Sequence, residues 1–227
     1  MDEEKELEKE FELERVIMFA DGVFAIAITL LVIDIKWPDL PGSMTGVNVA
    51  HFLRPMSFQF FAYALSFFLI GRSWSMHVRL FRLLRKFDQG LVSRNLLYLF
   101  FIATFPFTAS GVAGHIRVGF LLPLYLYLGN LTLLSVMNYF LCRYVIFHKP
   151  ALCVPGEEGQ KRYLYARSRF MAFGLGGSFA LTVALAWVFP GHPKYIAAGF
   201  IFGFAAMRWA NQRAKRSQAR VQDRPAT

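Results

Sequence analysis

Two carboxylates, Asp21 and Asp34, lie inside one otherwise apolar run that Arg15 opens and Trp37-Pro38 closes. A carboxylate among apolar neighbours is costly unless a cation, a donor or water reaches it, so such groups pair, relay protons or meet ions. Asp34 stands beside Lys36 at the far end of the run, where water can solvate it. Asp21 stands about a turn and a half beyond Arg15, deep enough to need a partner. The run also carries one hydroxyl, Thr29, among branched apolar residues. No Walker A loop, GxGxxG, GxSxG or HExxH motif accompanies these groups, and no TVGYG-type carbonyl filter. Cys142 and Cys153, the only cysteines, stand at neither CxxC nor zinc spacing. The chemistry left open is the handling of protons or ions. No enzyme, cofactor or resident metal is expected.

The element that must position these groups is a helix. At the 3.6-residue period Ile26, Leu30 and Ile33 fall at about 0°, 40° and 340°, with Thr29 at about 300°. Asp21 falls near 220°, on roughly the opposite side. One face is therefore a stripe of branched apolar residues with a single hydroxyl, and the other holds an acid. Such a stripe can face lipid, a neighbouring helix or a pore, and periodicity alone favours the first two.

The rest of the chain says what surrounds that helix. Of 227 residues 56% are hydrophobic, 17% aromatic and only 18% charged, against the roughly one quarter charged that is usual in soluble domains. That balance excludes disorder and a disulfide scaffold and implies a polytopic membrane protein. Six apolar stretches follow in order: Val16–Trp37; about His51–Ser75, with a polar extension through Lys86; Leu91–Ala113, which contains Pro106; Val118–Phe147; about Tyr163–Phe189; and about Tyr195–Ala210. The acidic leader, residues 1–14, is not a signal peptide, and residues 211–227 form a basic tail. Pro38–Asn48 reads as an exposed turn and Lys149–Gln160 as a linker of the same kind.

The formal net charge of +10 could suit nucleic acid, but the basic residues sit between apolar stretches and no nucleic-acid motif appears. The linkers after the second and fourth stretches and the tail, with the adjoining ends of the stretches, hold eighteen Lys and Arg, whereas the other linkers with their adjoining ends hold four. By the positive-inside rule both termini are expected in the cytoplasm, with six spans crossing the cell membrane.

The run RVIMFADGVFAIAITLLVIDI, from Arg15 to Ile35, resembles the RxxxFSDG signature of the lysosomal potassium channel family (transmembrane protein 175) in its single-repeat prokaryotic form. His77 with Leu80-Phe81, Asn95, and Pro106-Phe107 add to the likeness. The signature's serine is Ala20 here, which removes one hydroxyl. The resemblance implies an all-α, six-helix subunit in a homotetramer, embedded in membrane lipid and permeable to potassium ions, with the first helices lining the pore. It assigns the constriction to Ile26, Leu30 and Ile33, potassium preference to Thr29, and a tie between helices to Arg15, Phe19, Asp21 and Gly22, with His77 and Asn95 as partners. The alternative is a proton pathway or secondary transporter in which Asp21 and His77 titrate as a pair.

Overall fold

The computed structural model describes residues 2–33, 35–36, 49–115, 120–190 and 192, and between 198 and 216 all positions but 200, 204, 206, 207, 210 and 215. Asp34, Trp37, the turn at Pro38–Asn48 and the end of the basic tail lie outside the described residues. The named elements are all helical. They are α1 (Asp2–Ile33), α2 (Val49–Phe81), α3 (Gln89–Ala103), α4 (Phe105–His115), α5 (Leu122–Arg143) and α6 (Glu158–Val188). The described residues from 198 to 216 are helical as well.

Among the described residues four helical stretches are long and apolar enough to cross a membrane: Phe11–Ile33, Gln89–Gly114, Leu122–His148 and Glu158–Val188. The first span continues the acidic leader without a break, since α1 starts at Asp2. α2 runs antiparallel to α1. At one end the Lys36 backbone N–H donates to Gln59 Oε1 at 3.1 Å, and at the other the Trp74 indole N–H donates to Asp21 Oδ1 at 2.8 Å.

The third apolar stretch is two helices, broken at Thr104. Pro106 is the cause, because proline has no N–H to give to the turn before it and its ring crowds that turn. The polar groups freed there are met by side chains. Asn130 Nδ2 donates to the Phe101 carbonyl and to Thr108 Oγ1, each at 3.3 Å, and the Thr104 hydroxyl donates to Asn130 Oδ1 at 3.4 Å. A buried Asn in an apolar span thus closes the gap that a proline opens, as a chain in lipid requires.

Two cores result. One joins Ala20, Phe24, Ala27 and Leu31 of α1 to Ile70, Tyr98, Ile102, Phe105 and Leu124. The other, nearer the basic linkers, gathers Leu13, Leu80, Phe81, Leu91, Leu141, Val145, Leu152 and Cys153. The linker after α5 belongs to this second core. A π-helical turn at Tyr144–His148 bends the chain back, and Val154 N–H donates to the Leu83 carbonyl at 2.7 Å while Arg85 N–H donates to that of Leu152 at 2.9 Å. The outer surface carries Phe60, Phe61, Phe68, Phe107, Phe173 and Trp187, all exposed. Exposed aromatic surface on this scale suits lipid rather than water.

Asp88 fixes the start of α3. It accepts from Leu91 N–H at 2.8 Å and from the Tyr144 hydroxyl at 2.7 Å, with Lys149 Nζ 3.9 Å away and Arg94 stacked on the Tyr144 ring. Burial by itself would raise this carboxyl, but the two hydrogen bonds and the two cations outweigh it and hold the group below its ordinary range. A carboxyl lowered in the fold binds fewer protons than in the unfolded chain. Its stabilisation is therefore present above the unfolded value and is lost as pH falls through the folded one. Asp88→Ala should cost about 1 kcal/mol, the usual loss for a helix cap, and should flatten the acid limb of a thermal-stability profile. A variant with an unchanged melting profile would show that the cap is idle.

Candidate functional site

The site is built on α1, and its two faces have different fates. The buried stripe is Leu13, Ala20, Phe24, Ala27 and Leu31, none more than 6% exposed. It packs against α2, α3 and α4 because small residues at 20 and 27 admit close neighbours while Phe24 fills the space between them. On the face turned outward Ile26 is 61%, Leu30 41% and Ile33 69% exposed. These three are turned away from the core of the chain, and packing within the chain does not explain the stripe. Thr29 is exposed between them, and its hydroxyl donates back to the carbonyls of Ala25 and Ile26 at 3.0 Å each. The proton is used within the helix, which leaves the exposed oxygen as an acceptor only.

The polar residues of the signature fall into two groups. Asp21, half-buried, takes the Trp74 indole N–H. His77 and Asn95, each 1% exposed, bond one another, Nε2 to Oδ1 at 2.8 Å. Rings wall in His77 on several sides: Phe81 stacks at 4.1 Å, Phe24 lies at 5.5 Å and Tyr98 at 5.8 Å. Asp21 and His77 thus have separate hydrogen-bond partners: Asp21–Trp74 ties α1 to α2, and His77–Asn95 ties α2 to α3 beside Phe24 of α1. Ala20 is fully buried at the same level.

Arg15 and Phe19 are exposed, and with Glu12, Asn95 and Leu96 they border an open groove of about 420 Å³ between the start of α1 and α3. Gly22 is exposed too, and a side chain there would meet nothing within 4 Å. Within the chain these three signature residues leave a surface open, whereas Asp21, His77 and Asn95 are engaged.

Trp74 was not among the expected partners. A helical wheel shows which face an acid occupies and not what stands opposite. The available signal was an indole, a donor-only side chain, in the second apolar stretch, where it must find an acceptor if covered. Trp74 is 43% exposed, so Asp21→Ala should cost about 0.5–1.5 kcal/mol, the net worth of one hydrogen bond. That is less than a buried ion pair would lose. Trp74→Phe, which removes the donor as well, should restore part of the loss in the double variant, as read by thermal unfolding in detergent.

Residues 15–106 match the family model described as endosomal/lysosomal potassium channel TMEM175. A Streptomyces collinus protein named as a potassium channel is 40% identical over 105 residues, which cover 45% of this chain and 48% of that one. The match therefore spans about half the length of that relative. A Chryseobacterium protein, also named as a potassium channel, is 28% identical over 192 residues, covering 84% of this chain and 88% of the other. Among solved structures, a TMEM175 homologue from Chamaesiphon minutus, described as a lysosomal potassium-selective channel homologue, has a TM-score of 0.69 at 24% identity. It covers 88% of this chain and 98% of its own, and so shares the fold. With its signature run at Arg15–Gly22 inside the matched segment, the chain is similar to the TMEM175 channels over residues 15–106 and shares its fold with the Chamaesiphon minutus homologue.

Proposed function

We propose that this protein is a potassium-permeable channel of the cell membrane, a homotetramer of six-span subunits whose α1 helices line the pore, with both termini in the cytoplasm. The observation that carries the reading is the two-faced α1. The helix buries Ala20, Phe24, Ala27 and Leu31 in its own subunit and turns Ile26, Leu30 and Ile33 outward at 61%, 41% and 69% exposure. Four such stripes meeting on an axis would form rings of apolar side chains, which close a pore by excluding water. Such rings offer no ligand to an ion. Thr29, with its hydroxyl proton held by the helix and its oxygen outward, supplies the one polar ring.

In this arrangement Asp21 holds α1 to α2 through Trp74, and His77 with Asn95 joins α2 to α3, while Arg15, Phe19 and Gly22 present the surface on which the next subunit sits. The names of the bacterial relatives agree with potassium as the permeant ion. The separate partners of Asp21 and His77 give no support to a coupled titrating pair, so the transporter reading is second.

Purified protein in liposomes tests the proposal. Under potassium, sodium and then proton gradients, a passive current whose reversal potential follows potassium is expected. No flux, or flux at a fixed coupling ratio, would reject the channel.

A further inference from the structure

Arg72 of α2 and Arg167 of α6 converge on one neutral atom. Arg72 Nη2 donates to Asn211 Oδ1 at 2.7 Å, and Arg167 Nε donates to the same oxygen at 2.8 Å. Two guanidiniums gathered at a single amide oxygen repel, and an amide offers only a partial charge against them. Arg167 is 5% exposed, so water screens it little. Among the described residues the ion pairs are Lys149–Asp88 and Lys161–Glu158, and no carboxylate pairs with either arginine. A buried cation of this kind is stable where an anion completes it.

Space for that anion lies beside the pair. A cavity of about 50 Å³ between α2, α3, α5 and α6 is bordered by Arg72, Ser73, Tyr98, Ser135, Asn138 and Arg167. One water takes roughly 10–15 Å³ on this measure, so the cavity holds a few oxygen-sized groups, the scale of a phosphate. Planar guanidinium forks match phosphate oxygens, and the Asn138 amide on the same wall can donate to the remainder, the Ser73 and Ser135 hydroxyls being turned back to the Leu69 and Leu131 carbonyls.

The geometry points to a binding site for a phosphate group at the Arg72–Arg167–Asn211 cluster, supplied by an anionic phospholipid headgroup or by free phosphate. The cluster lies toward the side of the bundle that carries the basic linkers, where anionic headgroups gather. A bound phosphate balances the two cations and ties α2, α6 and the last helical segment together. The site is apart from the α1 stripe and does not depend on what the channel conducts.

The test follows the thermal unfolding midpoint of the full chain in neutral detergent while inorganic phosphate or phosphatidylglycerol is titrated in at constant ionic strength, with sodium oleate as an anionic lipid that has no phosphate. A saturable rise with phosphate or phosphatidylglycerol, and none with oleate, is expected. Saturation by inorganic phosphate assigns the free anion, and saturation by phosphatidylglycerol alone assigns the headgroup. Arg72→Gln should raise the half-saturating concentration about tenfold, the loss of one charge-assisted hydrogen bond, while Arg82→Gln, an exposed basic control, should match wild type. Arg72 is at the surface, so this variant keeps the test open if Arg167→Gln does not fold. The site is overturned by the absence of a saturable rise, by an equal response to oleate, or by equal weakening in Arg82→Gln. It is also overturned if Arg72→Gln lowers the midpoint and leaves the half-saturating concentration unchanged, because the cluster is then only a tie for Asn211.

Discussion

Leu30→Ala is expected to raise ion flux, or to relax discrimination between potassium and sodium, with little loss of fold stability. Leu30 is 41% exposed in its subunit, so its truncation removes few internal contacts. In a fourfold ring the same change removes three carbon atoms from each subunit at the place where the pore is proposed to close. Wetting of an apolar neck depends steeply on its radius, so a change that hardly touches the fold should act strongly on conduction. A leucine packed inside a soluble core would behave in the opposite way, costing about 2–5 kcal/mol and opening no leak. Currents from wild type and variant at matched protein density, under potassium and then sodium gradients, separate these outcomes. Unchanged conductance with an unchanged permeability ratio would take Leu30 out of the pore and remove the central support of the mechanism.

The faces of α1 were legible before any coordinates because a helix converts sequence spacing into direction. The stripe Ile26–Leu30–Ile33 and the acid at Asp21 separate on the wheel, and they separate in the fold. What the wheel cannot show is the neighbour. Trp74 lies 53 positions from Asp21, and only the antiparallel register of α2 brings its indole to the carboxylate. The resemblance offers His77 and Asn95 as partners for the signature residues of the first helix, whereas in the fold they bond one another.

The third apolar stretch is a milder case. Pro106 marked it as unusual, but the break at Thr104 and its repair by Asn130 depend on a helix that follows in the chain. The linker after α5 shows the reverse. Its Pro and Gly content reads as an exposed connection, yet Leu152 and Cys153 are buried against Leu83 and Leu84. Composition records where a helix must stop and not whether the loop beyond it docks.

Phe24→Ala is expected to be the most damaging single change to the fold of α1. The side chain is 1% exposed and sits between two rings, 5.5 Å from His77 and 6.1 Å from Tyr98 by centroid, tilted at 56° and 54°. In soluble cores the same truncation costs about 3–5 kcal/mol, part of it the transfer of apolar surface to water and part the cavity left behind. Lipid tails are as apolar as the side chain, so a membrane helix loses mainly the packing part, about 2–3 kcal/mol. The cavity opens beside the His77–Asn95 hydrogen bond, where a void lets two polar groups shift away from their 2.8 Å contact. Ile26→Ala, two residues away on the outward face, removes a side chain that is 61% exposed and should leave the unfolding midpoint within experimental error. The pair of variants therefore reads the two faces of one helix by opposite signals. Phe24→Ala should lower the midpoint in detergent and the yield of assembled protein, and Ile26→Ala should keep both while altering flux. Equal loss of stability in the two variants would mean that the stripe is buried against another part of the assembly as firmly as Phe24 is buried in the core, and α1 could not then line an open path.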